Sequence, residues 1–385
     1  MKVLTVGASP ELLSAQGRLH ADVLRALVDN GWDATCLAWS HDADYLSPGQ
    51  PPEYKVNEVN IPVISMPAKI DPTTVVHMLV KEFAPDLIFT VGDLENFGFM
   101  KQIKMFFPYA RWACVLIPYR LPISRSKKEI LNFIDAILCS SSEGYDGLSD
   151  VVLDDCLGVA FAGADKCFRT LGEKPSGFRV MGIGKNTQTD NLPTLVEVAA
   201  DMRRDIPELT LYLHVNQFDR GYYDFGEIQD RFDPRKEWLS FPDRYISAYD
   251  GYTNDELNEL YNAAHLLVTV PMMAGTAKTC WESLSAGTPV LMPDYGIFQD
   301  VAHTNSLWQR GEQLVRCTKC MAFGEVYQWV CDHEDLRAKM EAFWRKRKQG
   351  YCPKLCNLKP NEFRIKVVAT AEKAMNRQQT LSLET

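Results

Sequence analysis

Between Pro271 and Asp294 the chain reads PMMAGTAKTCWESLSAGTPVLMPD, and three kinds of residue in it could do chemistry together: Gly275 in a turn, Lys278 at the edge of a short helical segment, and Glu282 further along that segment. A loop running into a helix offers backbone N–H groups that have no intrahelical partner, together with the positive end of the helix dipole. An anionic phosphate is most easily held there. The apolar run Leu266 to Val270 precedes this loop, and Gly287 and Pro289 break the helix before a second apolar run, Val290 to Met292. The pattern is strand, loop, helix, strand, and it predicts a nucleotide-binding cleft.

Other groups with chemical potential are scattered. Ser14-Ala15-Gln16-Gly17-Arg18 opens the first helix and places Arg18 where it can meet a phosphate, and Asp93 follows directly on a strand end. Cys317-x-x-Cys320 and Cys352-x-x-x-Cys356, with Cys331 and His333 between them, have ligand types and spacing that could form a structural zinc site, but a spacer longer than in common zinc ribbons favours ordinary thiols. No acidic D-x-D pair lies near the expected cleft, so no active-site metal is expected. The cluster Arg345-Lys346-Arg347-Lys348 reads as a solvated helix end favoured by the dipole.

A chain of 385 residues, 46% hydrophobic and 24% charged, has the composition of an ordinary globular protein and the length of two domains. Its net charge of -9 gives no general attraction to nucleic acid or to an acidic membrane. No run reaches the roughly 18 consecutive apolar residues of a membrane span. Met1 to Gly7 reads as a first strand entering a glycine turn and not as a signal peptide, so a cytoplasmic protein is expected. The eleven cysteines, several of them inside strand-like runs, fit buried reduced thiols better than a disulfide framework.

The elements that must position these groups alternate throughout. Strands are expected at Lys2 to Val6, Ala34 to Ala38, Leu87 to Thr90, Trp112 to Ile117 and Ala136 to Cys139, with helices at Ala15 to Asn30, Pro72 to Phe83, Glu95 to Met105 and Lys127 to Phe133. Gly31 is a natural stop for the first helix. A polar linker near Arg169 to Ser176 leads to a second series: strands Phe178 to Met181, Leu209 to His214, Leu266 to Val270 and Val290 to Met292, and helices Asn191 to Asp205, Asn254 to Ala264 and Lys278 to Ala286. Helices His333 to Lys348 and Asn361 to Arg377 close the chain. Such alternation means parallel sheets wrapped by helices, with ligands at the carboxyl ends of the strands.

Four stretches carry a family resemblance. The run from Gly275 through Glu282 to Ala286-Gly287-Thr288-Pro289-Val290 resembles the donor-binding segment G-E-G-F-G-L-P-x-L-E-A-x-A-x-G-x-P-V of the family-4 retaining glycosyltransferases of GT-B fold. Gly163-Ala164-Asp165-Lys166-Cys167-Phe168 is similar to the family's G-V-D-x-x-x-F linker entry. Met181 to Leu195 resembles a v-x-R-N-x-x-R-K-N-x-P-x-L run, and Asp255 to Ala264 a D-E-E-L-x-x-L-Y-N-A-A-D run. The departures are specific: Ala274 replaces the first glutamate, Thr276, Ala277, Lys278 and Thr279 replace Phe, Gly, Leu and Pro, and Thr189 and Asp190 replace two basic residues.

The resemblance implies an α/β chain of two doubly wound Rossmann-like domains facing a cleft: an acceptor-side domain at 1–172, a nucleotide-sugar donor domain at 173–360, and a C-terminal helix and tail, 361–385, packing back on the first domain. It implies a metal-independent hexosyl- or pentosyltransferase moving a sugar from a nucleotide-diphosphate sugar to an unidentified acceptor, which can be a glycan, a small molecule or modified DNA. Donor-binding residues would be Gly17, Arg18, Lys185, Asn186, Ser247, Gly275, Thr276, Lys278, Thr279 and Glu282, the last accepting hydrogen bonds from the ribose. Asp93, Arg120 and Lys185 would be catalytic, the first two on the acceptor side. Lys278 would supply charge that Asp190 removes; a solvated surface lysine is the other reading. Transfer to modified bases of phage-type DNA, a glycosyltransferase-like scaffold without turnover, and a nucleotide-sugar epimerase are the alternatives.

Overall fold

The computed structural model describes residues 1–12, 14–39, 53–66, 70–118, 123, 125–152, 154–218, 221–246, 251–304, 310–321, 327–350 and 361–377. The chain divides into two compact units, Met1–Phe161 with Asn361–Thr385, and Ala162–Pro360.

In the first unit the strands are β1 (Lys2–Ala8), β2 (Asp33–Trp39), β3 (Glu53–Val56), β4 (Val59–Met66), β5 (Leu87–Gly92), β6 (Arg111–Leu116), β7 (Ala136–Cys139) and β8 (Leu157–Val159). The helices are α1 (Ala15–Asp29), α2 (Pro72–Phe83), α3 (Met100–Phe106), α4 (Arg125–Leu131) and α5 (Ser142–Ser149). Among the described residues these strands form one sheet in the order β3-β4-β2-β1-β5-β6-β7-β8, parallel except for the β3–β4 hairpin. Strands buried on both faces read as continuous apolar runs, and Val3, Leu4, Val6, Ile88, Phe89 and Val115 have no or almost no exposed surface. Each such side chain contributes about 1.5–3 kcal/mol through burial. Trp112 joins this core and satisfies its indole N–H on Thr90 Oγ1 at 2.9 Å.

Helix α1 begins where Ser14 Oγ accepts from the Gly17 N–H at 3.1 Å and ends at Gly31, whose φ of 81° only a glycine adopts without strain. The helix Asn361–Asn376 belongs to this unit. It buries Phe363, Val367, Ala371 and Ala374, a stripe at helical spacing. Arg364 reaches Asp22 of α1 at 3.2 Å, and Lys366 donates to the Val159 carbonyl at 2.8 Å.

The second unit carries β9 (Phe178–Ile183), β10 (Leu209–His214), β11 (Leu239–Ser240), β12 (Leu266–Val268), β13 (Val290–Pro293) and β14 (Leu314–Val315), all parallel, in the order β11-β10-β9-β12-β13-β14. A separate antiparallel hairpin pairs β15 (Cys317–Met321) with β16 (Tyr327–Cys331). Its helices are α6 (Leu192–Arg203), α7 (Phe225–Phe232), α8 (Asn254–Ala263), α9 (Lys278–Ser285), α10 (Gly296–Thr304), α11 (Arg310–Gln313) and α12 (His333–Lys348). Leu195, Val196, Leu211, Leu266 and Leu291 lie in its core. Helix α8 carries a complete capping box between Thr253 and Glu256.

In both sheets the first strand of the unit sits in the middle, with the chain winding to one side and then to the other. The reversal falls between β1 and β5 in the first unit and between β9 and β12 in the second. Such a reversal leaves a crevice outside the carboxyl ends of the two strands, where open α/β sheets take their ligands.

Candidate functional site

The crevice of the second unit is walled by two loops. Gly184–Asp190 follows β9, and Pro271–Ala277 follows β12; the Met272 N–H donates to the Thr189 carbonyl at 2.7 Å and joins them. Helices α6 and α9 start from these loops with no side-chain cap and no acidic residue in the first turn, whereas α7, α8 and α12 each carry one. The amino ends of α6 and α9 therefore keep the positive end of the helix dipole without a first-turn acid to offset it, and α9 adds Lys278 at its start.

Lys185 is exposed on the first loop. Asp190 turns back onto its own loop: its carboxylate accepts from the Thr187 hydroxyl, its N–H donates to Thr187 Oγ1 at 3.2 Å, and a Cβ on Gly184 would come within 3.0 Å of its Oδ1. Burial raises the Asp190 pKa, opposed by the Thr187 bond and by the Lys185 N–H and charge. Its negative charge is thus engaged inside the loop. Asn186, expected at the donor, is buried and spends its amide on Tyr223, donating to the carbonyl and accepting from the N–H, both at 2.8 Å.

On the second loop Gly275 and Thr276 are buried, Thr279 is half-buried, and Ala277 adopts a left-handed φ of 44° as it enters α9. Ala277 stands at the glycine position of the motif and keeps a glycine-like conformation. For an L residue this costs roughly 1–2 kcal/mol. Lys278 is no solvated surface lysine: it is 3% exposed and donates to the Gly163 carbonyl at 3.2 Å. Glu282 has no exposed surface and accepts from the Tyr261 hydroxyl at 3.1 Å. Phe168 packs its ring 5.9 Å from that of Tyr261, and the Glu282 charge contributes, after burial and two aspartates, to lifting the Cys167 thiol to about 11. Three separate sequence stretches, Gly163 to Phe168, Tyr261 and Gly275 to Glu282, therefore meet at one place.

Sequence reasoning missed the support of this loop. Tyr295 donates to the Pro271 carbonyl at 2.9 Å and stacks on Trp329 at 5.4 Å, with 3° between the rings; the Trp329 N–H donates to the Met272 carbonyl at 2.9 Å. Tyr261 was legible as part of the Asp255 to Ala264 run, whereas nothing near Trp329 resembles a site. His214, at the carboxyl end of β10 and edge-on to Tyr252 at 4.8 Å, also went unmarked.

In the first unit, Gly17 and Arg18 follow β1 and Asp93 follows β5, so they flank that unit's own reversal point. A Cβ on Gly17 would lie 2.4 Å from the Leu12 carbonyl oxygen, so the preceding loop requires glycine there. Asp93 caps the short turn Leu94–Phe97 through the Glu95 N–H at 3.4 Å. Arg120, Ser247, Cys352 and Cys356 lie outside the described residues.

Cys317 and Cys320, two of the four cysteines expected at a zinc site, both lie on β15. Three positions apart on one strand, they face opposite sides of the hairpin: Cys317 Sγ lies 3.7 Å from Cys331 Sγ, while Cys320 Sγ donates to the Gln328 carbonyl at 3.5 Å. Among the described residues no cluster of three or more His, Cys, Asp or Glu could hold a metal ion, and no helix is long and apolar enough to cross a membrane. A cavity of about 360 Å³ against β9, β10 and α8, lined by Arg179, Tyr212, Lys236 and Trp238, contains none of the expected site residues.

Two doubly wound α/β units with a ligand crevice in each sheet define the GT-B fold. Solved structures similar to this chain have that fold. Sucrose-phosphate synthase from Thermosynechococcus elongatus shares 13% identity at a TM-score of 0.69, covering 97% of this chain and 96% of that one. An alpha,alpha-trehalose-phosphate synthase (UDP-forming) from Burkholderia vietnamiensis shares 12% at 0.62, covering 97% of each chain. The UDP-GlcNAc 2-epimerase from Neisseria meningitidis, bound to UDP-GlcNAc, shares 14% at 0.59, covering 97% of this chain and all of that one. No family model matches the sequence, and no curated protein matches it.

Proposed function

We propose that this protein transfers a sugar from a nucleoside-diphosphate sugar to an acceptor, with retention at the anomeric carbon and without a metal ion, in the manner of family-4 enzymes. The observation that carries the reading is the Met272–Thr189 junction at the β9–β12 reversal, from which two helices begin with positive ends. A sucrose-phosphate synthase, a UDP-forming trehalose-phosphate synthase and an epimerase bound to UDP-GlcNAc on the same fold support it.

Sugar transfer builds an oxocarbenium-like carbon while negative charge grows on the departing diphosphate. Donors fixed in advance at that charge are worth about 3 kcal/mol each. In this reading the first-turn N–H groups of α9 with Gly275, Thr276 and Thr279, and Lys185 across the junction, hold the diphosphate. Lys278, tied to Gly163, adds buried positive charge beneath them. Glu282, oriented by Tyr261, is in this reading the acceptor for the ribose hydroxyls. Ser247 belongs to the base side, Gly17 and Arg18 remain donor-binding residues, and Asp93 and Arg120 belong to the acceptor side, in a first domain of residues 1–172 with the donor domain at 173–360. The bond from the anomeric carbon to the diphosphate oxygen breaks as the acceptor oxygen bonds on the same face, and the acceptor proton passes to the departing phosphate. No protein nucleophile is then required. A cytoplasmic location fits this chemistry.

A second reading, nucleotide-sugar epimerisation, is favoured by the likeness to the Neisseria meningitidis epimerase. One experiment separates the two. The protein is incubated with UDP-, GDP-, ADP- and TDP-sugars, with and without sugar and sugar-phosphate acceptors, and the products are resolved. Acceptor-dependent release of nucleoside diphosphate supports transfer, a changed sugar without acceptor supports epimerisation, and intact donors throughout contradict both.

A further inference from the structure

The hairpin under the Pro271 loop holds a feature that sugar transfer does not use. Cys317 and Cys331 are directly opposite partners in the β15–β16 register, with their sulfurs 3.7 Å apart. Opposite residues of an antiparallel pair have Cα atoms about 4.5–5.5 Å apart, inside the 4.4–6.8 Å range that a disulfide spans. The sulfurs are therefore within a small rotation of bonding. Cys331 is 3% exposed and Cys317 is half-buried, so a small disulfide can reach Cys317 first. By contrast Cys36, Cys139 and Cys280 are buried thiols pushed up to about 12, and are inert.

We propose that Cys317 and Cys331 form a reversible disulfide by exchange with a small-molecule disulfide of the glutathione type. The Cys317 thiolate attacks one sulfur of the oxidant and expels one thiolate; Cys331, losing its proton to solvent, attacks Cys317 Sγ and expels the second. Two protein thiols become one disulfide, and the oxidant becomes two thiols. The bond to Cys331 lowers the Cys317 pKa, which favours Cys317 as the first attacking thiolate.

The crosslink has a mechanical target. Strand β16 carries Trp329, whose N–H holds Met272 and whose ring holds Tyr295, and Tyr295 in turn holds Pro271. Fixing β15 to β16 beside Trp329 removes the strand slippage through which this support could loosen, so the oxidised form holds the Pro271–Ala277 loop more firmly.

The test uses the full chain, purified reduced and then exposed to glutathione disulfide. Remaining thiols are alkylated and the peptides mapped, and the same samples are followed by hydrogen exchange. The expected result is one linked pair, Cys317 to Cys331, two hydrogen masses lighter, reversed by dithiothreitol, absent in Cys317→Ser and retained in Cys320→Ser. Amide exchange across residues 272–277 should slow at least severalfold on oxidation. Alkylation of both cysteines after oxidant treatment overturns the site, as does pairing of Cys317 with Cys320, Cys352 or Cys356. An intact crosslink with unchanged exchange at 272–277 overturns the coupling to the loop.

Discussion

Tyr261 donates its phenolic hydrogen to Glu282 Oε2 at 3.1 Å, and neither side chain has any exposed surface. A carboxylate out of water is tolerated only when hydrogen-bonded, so Tyr261 both stabilises Glu282 and fixes where its oxygens point. Tyr261→Phe should destabilise the protein by about 1–3 kcal/mol. A double-mutant cycle with Glu282→Gln, read by denaturant unfolding, should give a coupling well above zero; additivity of the two changes would contradict the pairing.

Ala277 tests the backbone that leads into α9. Relief of its left-handed conformation should outweigh the added flexibility of glycine in the unfolded chain, so Ala277→Gly should stabilise by roughly 0.5–1 kcal/mol. Ala277→Val should destabilise, because a β-branched residue is worse at positive φ. A loss of stability in the glycine variant would show that the φ of 44° is not what the loop requires.

Acid should weaken both units. Burial lowers the pKa of His20 to about 4, and burial with the nearby Arg347 charge lowers that of His265 to about 4. A histidine held neutral in the fold binds a proton only on unfolding, so its stabilisation is complete above pH 6.5 and is lost as pH falls toward 4. For the wholly buried His20 the loss is roughly 2 kcal/mol by pH 5. Urea midpoints at pH 7.5 and pH 5 should show the fall, and His20→Gln should flatten it. An equal fall in that variant would assign the effect to other groups.

Lys185 and Lys278 should separate binding from folding. Lys185 is exposed, so Lys185→Ala should change stability by no more than about 0.5 kcal/mol while weakening nucleoside-diphosphate binding about tenfold, the equivalent of roughly 1.4 kcal/mol. Lys278→Ala removes a buried donor from the Gly163 carbonyl and should lower both. Titration calorimetry beside thermal melts distinguishes them, and unchanged affinity in Lys185→Ala would remove it from the site.

Much of the framework was legible because the strands are buried on both faces and therefore written as apolar runs. Pro72 to Phe83, Ala136 to Cys139 and Leu209 to His214 match their elements end to end. The β3–β4 hairpin was not, since Pro62 lies inside β4 and its turn uses Asn57 at φ 52° without the usual following glycine. The β15–β16 hairpin was hidden for a different reason: its strands are half exposed, so no alternation shows, and its cysteines read as metal ligands. In the candidate site, Gly275, Glu282 and Tyr261 lie in motif runs, but the Tyr261–Glu282 bond and the stacking of Tyr295 on Trp329 join stretches distant in sequence. A sequence read locally carries no sign of Asp190 folding back onto Thr187 or of Lys278 reaching Gly163.

The central claim is that the β9–β12 crevice binds a nucleoside diphosphate. The most direct measurement is the melting temperature of the full chain with UDP, GDP, ADP and TDP, for the native protein and for Glu282→Gln, each referenced to its own ligand-free melt. A ligand at a hundredfold its Kd stabilises by about 2.7 kcal/mol, a rise of roughly 5–10 °C for a unit of this size. One nucleotide should raise the native melt in this way, with a rise at least halved in Glu282→Gln. No shift from any of the four at millimolar concentration, or an equal shift in the variant, would contradict the account.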